Sequence, residues 1–320
     1  MPESLRPTRI DMTIKRLRSI GYEFVEESKI KKGANSTVLA AIDEAKNPVA
    51  IKYYPIKEEG KQRQENELRF LKYCQDSGIY NVPKPIHMDT NNVITIMSWL
   101  EGEKPDTLGE EELKAIITFV DKLNKKDTKP EQRKLIPAKE CFTSLNKLAE
   151  ECLARAHLEK EKFHVQGDYS SAKTINKILK YIDEKRSRYG NTSTWNNTCN
   201  AKIVSPSDIG IHNMIKNSNQ YSFLDFEYGG IDSPVKLCAD IALQPNHQSG
   251  ALEEELVKES LSKLTAQNDE WRLLYTQAKP LFAAKWCMII AKNKHKPKPK
   301  LHHTTLEEYY HKVFIPLINN

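Results

Sequence analysis

No run in this chain approaches the roughly 18 consecutive apolar residues that a membrane helix needs, and Met1-Pro2-Glu3-Ser4-Leu5-Arg6 carries no apolar signal core. Neither a membrane span nor export is expected, and the sequence reads as that of a cytoplasmic protein. Cys74, Cys141, Cys152, Cys199, Cys238 and Cys287 include no close pair of the zinc or redox type, so reduced and mostly buried thiols are expected. Asn35-Ser36-Thr37, Asn191-Thr192-Ser193 and Asn196-Asn197-Thr198 match the glycosylation pattern, but without a secretory route the match is chance. The densest basic run, 292–300, lacks the interleaved aromatics that stack on bases. Its prolines forbid a helix, and it reads as a solvated loop rather than a nucleic-acid surface. There is no internal repeat.

What is present is ordinary for a globular protein: 320 residues, 39% hydrophobic and 29% charged, with a net charge of +6. That length suits two domains better than one core. Residues 10–20 carry Ile10, Ile14, Leu17 and Ile20 at helical spacing, a short leading helix. A strand, a tight loop around Gly33 and a second strand follow; Gly33, Asn35 and Ser36 form a small, polar tip whose backbone N–H groups can lie over phosphates. Val49-Ala50-Ile51-Lys52-Tyr53-Tyr54 is a strand with a lysine among apolar residues. The helix predicted over 62–73 offers Glu65 and Glu67 as partners for Lys52, and Glu67 is preferred because it directly precedes the apolar face Leu68, Phe70 and Leu71.

Val93-Ile94-Thr95-Ile96-Met97 is a strand. Beyond Ser98-Trp99-Leu100-Glu101-Gly102 the composition changes, and helical spacing dominates at 113–125, 144–158 and 173–185, then at 252–264, 270–292 and 306–317. A β-rich part followed by an α-rich part predicts an α+β fold in two domains, 1–98 and 99–320.

The chemistry gathers in Ser205-Pro206-Ser207-Asp208-Ile209-Gly210-Ile211-His212-Asn213 and in Phe223-Leu224-Asp225-Phe226-Glu227. Asp208 and Asn213 stand five apart around Gly210, and the segment between Asn213 and Asp225 is a natural hairpin that returns Asp225 beside Asn213. Phosphoryl transfer from Mg·ATP calls for these groups: a carboxylate to take the proton of an accepting hydroxyl, and an amide oxygen and a carboxylate on a hard metal ion. Each residue alone has a plain structural explanation, a turn cap, a hairpin start or a strand end. All three in order behind Lys52 are less easily accidental.

These residues resemble the aminoglycoside phosphotransferase and choline kinase family of small-molecule kinases, which have the protein-kinase-like fold. The family's catalytic loop reads His-Gly-Asp-x-x-x-x-Asn, its metal motif Ile-Asp-Trp/Phe-Glu, and a later segment Gly-Asp-Pro…Asp-Leu-Ala. Here the counterparts are Ser207-Asp208 to Asn213, Leu224-Asp225-Phe226-Glu227, and Ile231-Asp232-Ser233-Pro234 with Asp240-Ile241-Ala242. The resemblance implies an N-lobe over 1–98 that binds nucleotide and a catalytic, substrate-binding C-lobe over 99–320. It implies Asp208 as catalytic base, Asn213 and Asp225 as magnesium ligands, and Lys52 as the phosphate-binding lysine with Glu67 its helix partner. By the same resemblance Ser98 to Glu101 would be the hinge over adenine, with Ser98 and Leu100 beside the nucleotide, and Asp240 would support the catalytic loop. The cofactors implied are ATP and magnesium.

The family's histidine is missing, since Ser205-Pro206-Ser207 precedes the base; His212 lies elsewhere in the loop and takes no such role. Gln166-Gly167-Asp168-Tyr169 imitates the motif, but Lys173 stands where a metal ligand would be needed, and Asp168 reads instead as a helix cap. No activation segment of the protein-kinase kind follows Asp225, which points to a small-molecule hydroxyl as acceptor. The net positive charge favours a sugar or glycan precursor over the cationic aminoglycosides or choline. The alternative is a catalytically silent kinase-like domain that binds nucleotide or a partner.

Overall fold

Short β-branched and alanine-rich runs build the first sheet. The structure, a computed structural model, describes residues 14–15, 17–18, 21–24, 31–32, 36–125, 134–245, 251–265, 270–294 and 304–319. Among these, strands β1 (Glu23–Phe24), β2 (Lys31–Lys32), β3 (Thr37–Ile42), β4 (Pro48–Tyr53), β5 (Pro85–Asp89) and β6 (Ile94–Ser98) form one antiparallel sheet. The order is β1-β3-β4-β6-β5, with β2 also paired to β3. The period of two sorts the faces. Leu39, Ala41, Val49, Ile51, Tyr53, Ile94 and Ile96 are buried together on one face, where Leu17 joins them and Ile14 and Tyr22 pack from the side. Lys52 therefore points to the other face, opposite Val38 on β3 and Thr95 on β6. That face is met by helix α1 (Glu58–Asp76), whose Gln64 Nε2 donates to Ile94 O at 2.8 Å and to Thr95 Oγ1 at 3.2 Å.

The chain divides into two compact units: Met1–Lys104 with Asn213–Tyr228, and Pro105–His212 with Gly229–Asn320. The first unit thus includes the hairpin β8 (Met214–Asn217) and β9 (Gln220–Phe223), paired Met214 to Phe223 and Asn217 to Gln220. The second holds α2 (Glu110–Leu123), α3 (Leu145–Val165), α4 (Tyr169–Tyr189), α5 (Pro234–Ala242), α6 (Ala251–Leu264) and α7 (Glu270–Asn293), with the short pair β7 (Ile203–Ser205) and β10 (Gly230–Asp232).

Helix starts follow their caps. Ser144 Oγ accepts from Lys147 N at 3.2 Å before α3, and Asp168 Oδ1 accepts from Ser171 N at 3.1 Å before α4. Asp168 is thus a cap, as its sequence context predicts. Helix α7 runs on to Asn293, so Lys292 belongs to a helix, and Lys294 Nζ reaches Asp168 Oδ2 at 2.9 Å. Residues 295–300 of the basic run, and most of the leading segment 10–20, lie outside the described residues. All six cysteines are free thiols, five of them buried. No helix among the described residues is long and apolar enough to cross a membrane.

Candidate active site

Lys52 is only 4% exposed, yet its ammonium is fully engaged. Nζ lies 2.7 Å from Glu67 Oε2 and 2.7 Å from Asp225 Oδ1, with Glu227 Oε2 at 3.6 Å. Glu65 is exposed, so of the two helix acids it is Glu67 that faces the lysine. The same Glu67 oxygen accepts the Tyr54 hydroxyl, while its Oε1 accepts Phe226 N at 3.2 Å. Burial alone would pull the lysine toward neutrality, but Asp225 and then Glu67 overcome it and hold Lys52 well above its usual value. Glu227 goes the other way: burial, reinforced by the charge of Asp225, pushes its carboxyl up to about 7. A buried ion pair is a costly way to gain stability, since apolar side chains of equal size commonly do as well. A lysine shared by three carboxylates is therefore not accounted for by a gain in stability alone.

Asp225 does not lie in the hairpin. Strand β9 ends at Phe223, Leu224 N donates to Asn213 O at 3.0 Å, and Asp225 follows with a φ of +69°. A residue with a Cβ in the left-handed region carries strain that its surroundings must offset. Here the offset is visible: Phe226 stacks on Phe70 at 4.9 Å and 12°, and Asn66 Nδ2 on α1 donates to Glu227 O at 3.1 Å. The segment is fastened on both sides of Asp225, whose side chain stays 36% exposed. Asn213 is buried at the end of the turn Ile211–Asn213, next to β8.

After β6 the chain is clipped to the same hairpin. Glu103 and Lys216 exchange backbone hydrogen bonds at 3.0 and 2.7 Å. Gly102 makes this approach possible: at φ +123°, a Cβ on it would stand 2.3 Å from Lys216 O. Ser98 Oγ accepts from Lys84 N at 2.9 Å, and Leu100 is half-buried beyond it. Of the loop expected over phosphates, Ser36 is described and half-buried, whereas Gly33 and Asn35 lie outside the described residues.

The second unit carries Asp208. Strand β7 delivers Ser205, and Ser207 takes a φ of +67° directly before the aspartate. Ser207 N donates to Ser205 Oγ at 3.0 Å, and Ile209 N donates to Ser207 O at 3.0 Å. Asp208 Oδ1 meets His212 Nε2 at 3.0 Å, both side chains being partly open to solvent. Beneath the loop sits a buried cluster on α5. Lys236 Nζ donates to Asp240 Oδ2 and, at 2.9 Å, to Ser207 Oγ, with Asp232 Oδ2 3.7 Å away. Burial raises Asp240 to about 6 although Lys236 opposes the rise, and the neighbouring Asp240 and Asp232 keep Lys236 protonated above its usual value against its own burial.

Sequence reasoning passed over Tyr54, Lys236 and Gln244, and took Glu227 only as a motif letter. Glu227 and Tyr54 stand two residues from Asp225 and Lys52. Lys236 had a signal, a lysine inside apolar Val235-Lys236-Leu237 with aspartates four residues to either side.

Among the described residues no group of three or more His, Cys, Asp or Glu side chains could hold a metal alone. The oxygen donors Asn213 and Asp225 nonetheless fit magnesium, which keeps most of its ligands from phosphates and water.

No protein-family model matches the sequence, and no curated protein matches it either. Solved structures do match. The choline kinase from Cryptosporidium parvum superposes with a TM-score of 0.57 at 12% identity, over 97% of this chain and 94% of its own. The choline kinase LicA from Streptococcus pneumoniae gives 0.56 at 12% identity, over 98% of both chains. The ADP-bound aminoglycoside phosphotransferase APH(2'')-Ib gives 0.55 at 13% identity, over 97% of both. Likeness of this extent at such low identity is likeness of fold, and this chain has the α+β, protein-kinase-like fold of the aminoglycoside phosphotransferases and choline kinases.

Proposed function

We propose that this protein is an ATP- and magnesium-dependent phosphotransferase that acts on a hydroxyl of a small molecule. The observation that carries the reading is Lys52, buried and bonded at 2.7 Å to both Glu67 and Asp225. Lys52 would balance charge on the inner phosphates, with Glu67 fixing its ammonium and Tyr54 and Phe226 N fixing Glu67 in turn. Gly33, Asn35 and Ser36 would cover the phosphates, and Ser98 and Leu100 would flank the base. Asn213 and Asp225 would hold magnesium, which when bound neutralises the charge that develops on the transferring group.

Asp208 would accept a hydrogen bond from the substrate hydroxyl, orient its oxygen, and take its proton as the new O–P bond forms and the bond from the transferred phosphorus to the ADP oxygen breaks. The neighbours of known fold are named for cationic acceptors, aminoglycosides and choline. The net charge of +6 supports a neutral or anionic acceptor here, a sugar or glycan precursor.

The test is ATP consumption with magnesium across sugars, amino alcohols and aminoglycosides, for wild type and Asp208→Ala. Turnover that depends on one acceptor and falls by about a thousandfold in the variant is expected. Equal turnover in both would remove Asp208 from the chemistry. Nucleotide binding with no turnover on any acceptor would make the chain a silent kinase-like domain, a reading that the missing histidine before Asp208 keeps in view.

A further inference from the structure

Helix α5 and the turn that follows it reach the candidate catalytic loop at the residues on either side of Asp208. Before it, Lys236 Nζ donates to Ser207 Oγ at 2.9 Å. After it, Gln244 Nε2 donates to Ile209 O at 2.9 Å. The second contact depends on Gly210, because a Cβ there would stand 2.2 Å from Gln244 Oε1. We infer that Lys236 is a positioning residue that sets the backbone ahead of Asp208 through Ser207, in place of the histidine lead-in that this sequence lacks. The inference rests on the proposed role of Asp208.

Three features support it. First, Ser207 sits at φ +67°, a conformation that glycine adopts freely and serine only when something holds it. The ammonium on its Oγ is such a hold, and a charge-assisted hydrogen bond is among the stronger ones. Second, Lys236 cannot wander. It is 5% exposed, and Asp232 and Asp240 flank it one helical turn away on each side. Third, the anchor is itself anchored: Asp232 Oδ1 accepts Phe142 N at 3.0 Å and Ser233 N at 2.7 Å. A lysine that served the helix alone would have its single charge answered by Asp232 and Asp240. The remaining donor is spent on the loop.

The experiment uses the full chain with Mg·ATP, water serving as acceptor, and hydrogen exchange over 205–211. Lys236→Met would strand two buried carboxylates and can fail to fold, so the principal variants are Ser207→Ala and Ser207→Gly, which leave the lysine and its aspartates intact. Losing the charged hydrogen bond should speed exchange of the Ile209 amide by about tenfold. Turnover should fall by about tenfold or more while the Mg·ATP dissociation constant moves less than about twofold, the mark of displaced geometry rather than lost binding. Glycine cannot restore the contact but adopts this φ unaided, so Ser207→Gly should lose less than Ser207→Ala. Wild-type exchange and turnover in both variants would overturn the inference. If Asp208→Ala turned over ATP like wild type, the reading of Asp208 would fall, and the exchange of Ile209 would still decide whether Lys236 holds the loop.

Discussion

Replacing Lys52 by methionine should be among the most damaging single changes available to this protein. Methionine fills a similar volume, so the loss is electrostatic. It removes a donor from Glu67 and Asp225, each 2.7 Å away, and exposes Glu67, Asp225 and Glu227 to one another, with Arg63, 3.9 Å from Glu227, offsetting them in part. Removing one partner of a buried pair costs about 3–5 kcal/mol because the other charge is left uncompensated. Glu67→Gln keeps the shape but only one acceptor oxygen, so either the Tyr54 hydroxyl or Phe226 N loses its acceptor; Lys52 still has Asp225, and the change should cost less, about 1–3 kcal/mol. The double variant has no stranded Glu67 charge, and its loss should fall short of the sum by about 2 kcal/mol. Urea denaturation of the four proteins at pH 7 measures this coupling. Single losses that add to within about 0.5 kcal/mol would refute the claim that Lys52 and Glu67 act as a pair.

Other consequences are simpler to check. Glu140 is raised by burial, but Lys285 at 2.8 Å and then Arg155 bring it down to about 2, below its ordinary 4.5. A carboxyl lowered on folding contributes stability above its unfolded value and loses it as pH falls through the folded one. Glu140→Gln should therefore be less stable than wild type by a constant margin from pH 5 to 8, and the gap should close between about pH 4.5 and 2 in thermal melts. Gly102→Ala places a Cβ against Lys216 O at an unfavourable φ and should cost about 1–3 kcal/mol and weaken nucleotide binding. Ser233 caps α5 by accepting Val235 N at 3.1 Å, so Ser233→Ala should cost about 1 kcal/mol in denaturation.

The elements were largely legible because their periods are strong. The alternation through Val49 to Tyr54 puts Ile51 and Lys52 on opposite faces, and the apolar spacing of 113–125 and 173–185 marks α2 and α4 to within a few residues. The hairpin 214–223 announces itself by the polar turn between two short apolar strands. Less legible was where Asp225 sits. Its sequence reads as a strand end, but the pairing stops at Phe223 and the backbone turns left-handed, which depends on Phe70 and Asn66 far away in the chain. Lys236 was missed for a related reason: an ammonium inside an apolar helix has meaning only once Ser207, 29 residues earlier, is beside it. Local patterns name the elements, and long-range partners decide what a polar residue in them does.

The first unit is assembled from two segments, 1–104 and 213–228, with the bond between Lys52 and Asp225 spanning 173 positions. For a nascent chain this sets an order of events. The N-terminal sheet can form early, but Lys52 and Glu67 remain buried-to-be charges without Asp225 until residue 228 has left the ribosome. At ordinary synthesis rates the wait between residues 104 and 228 is about 6–25 s, long compared with strand pairing. During that interval most of the second unit emerges first. The first unit is thus begun first but closed only at residue 228, and a truncated product ending anywhere before 225 would carry a sheet whose central lysine has Glu67 but neither Asp225 nor Glu227.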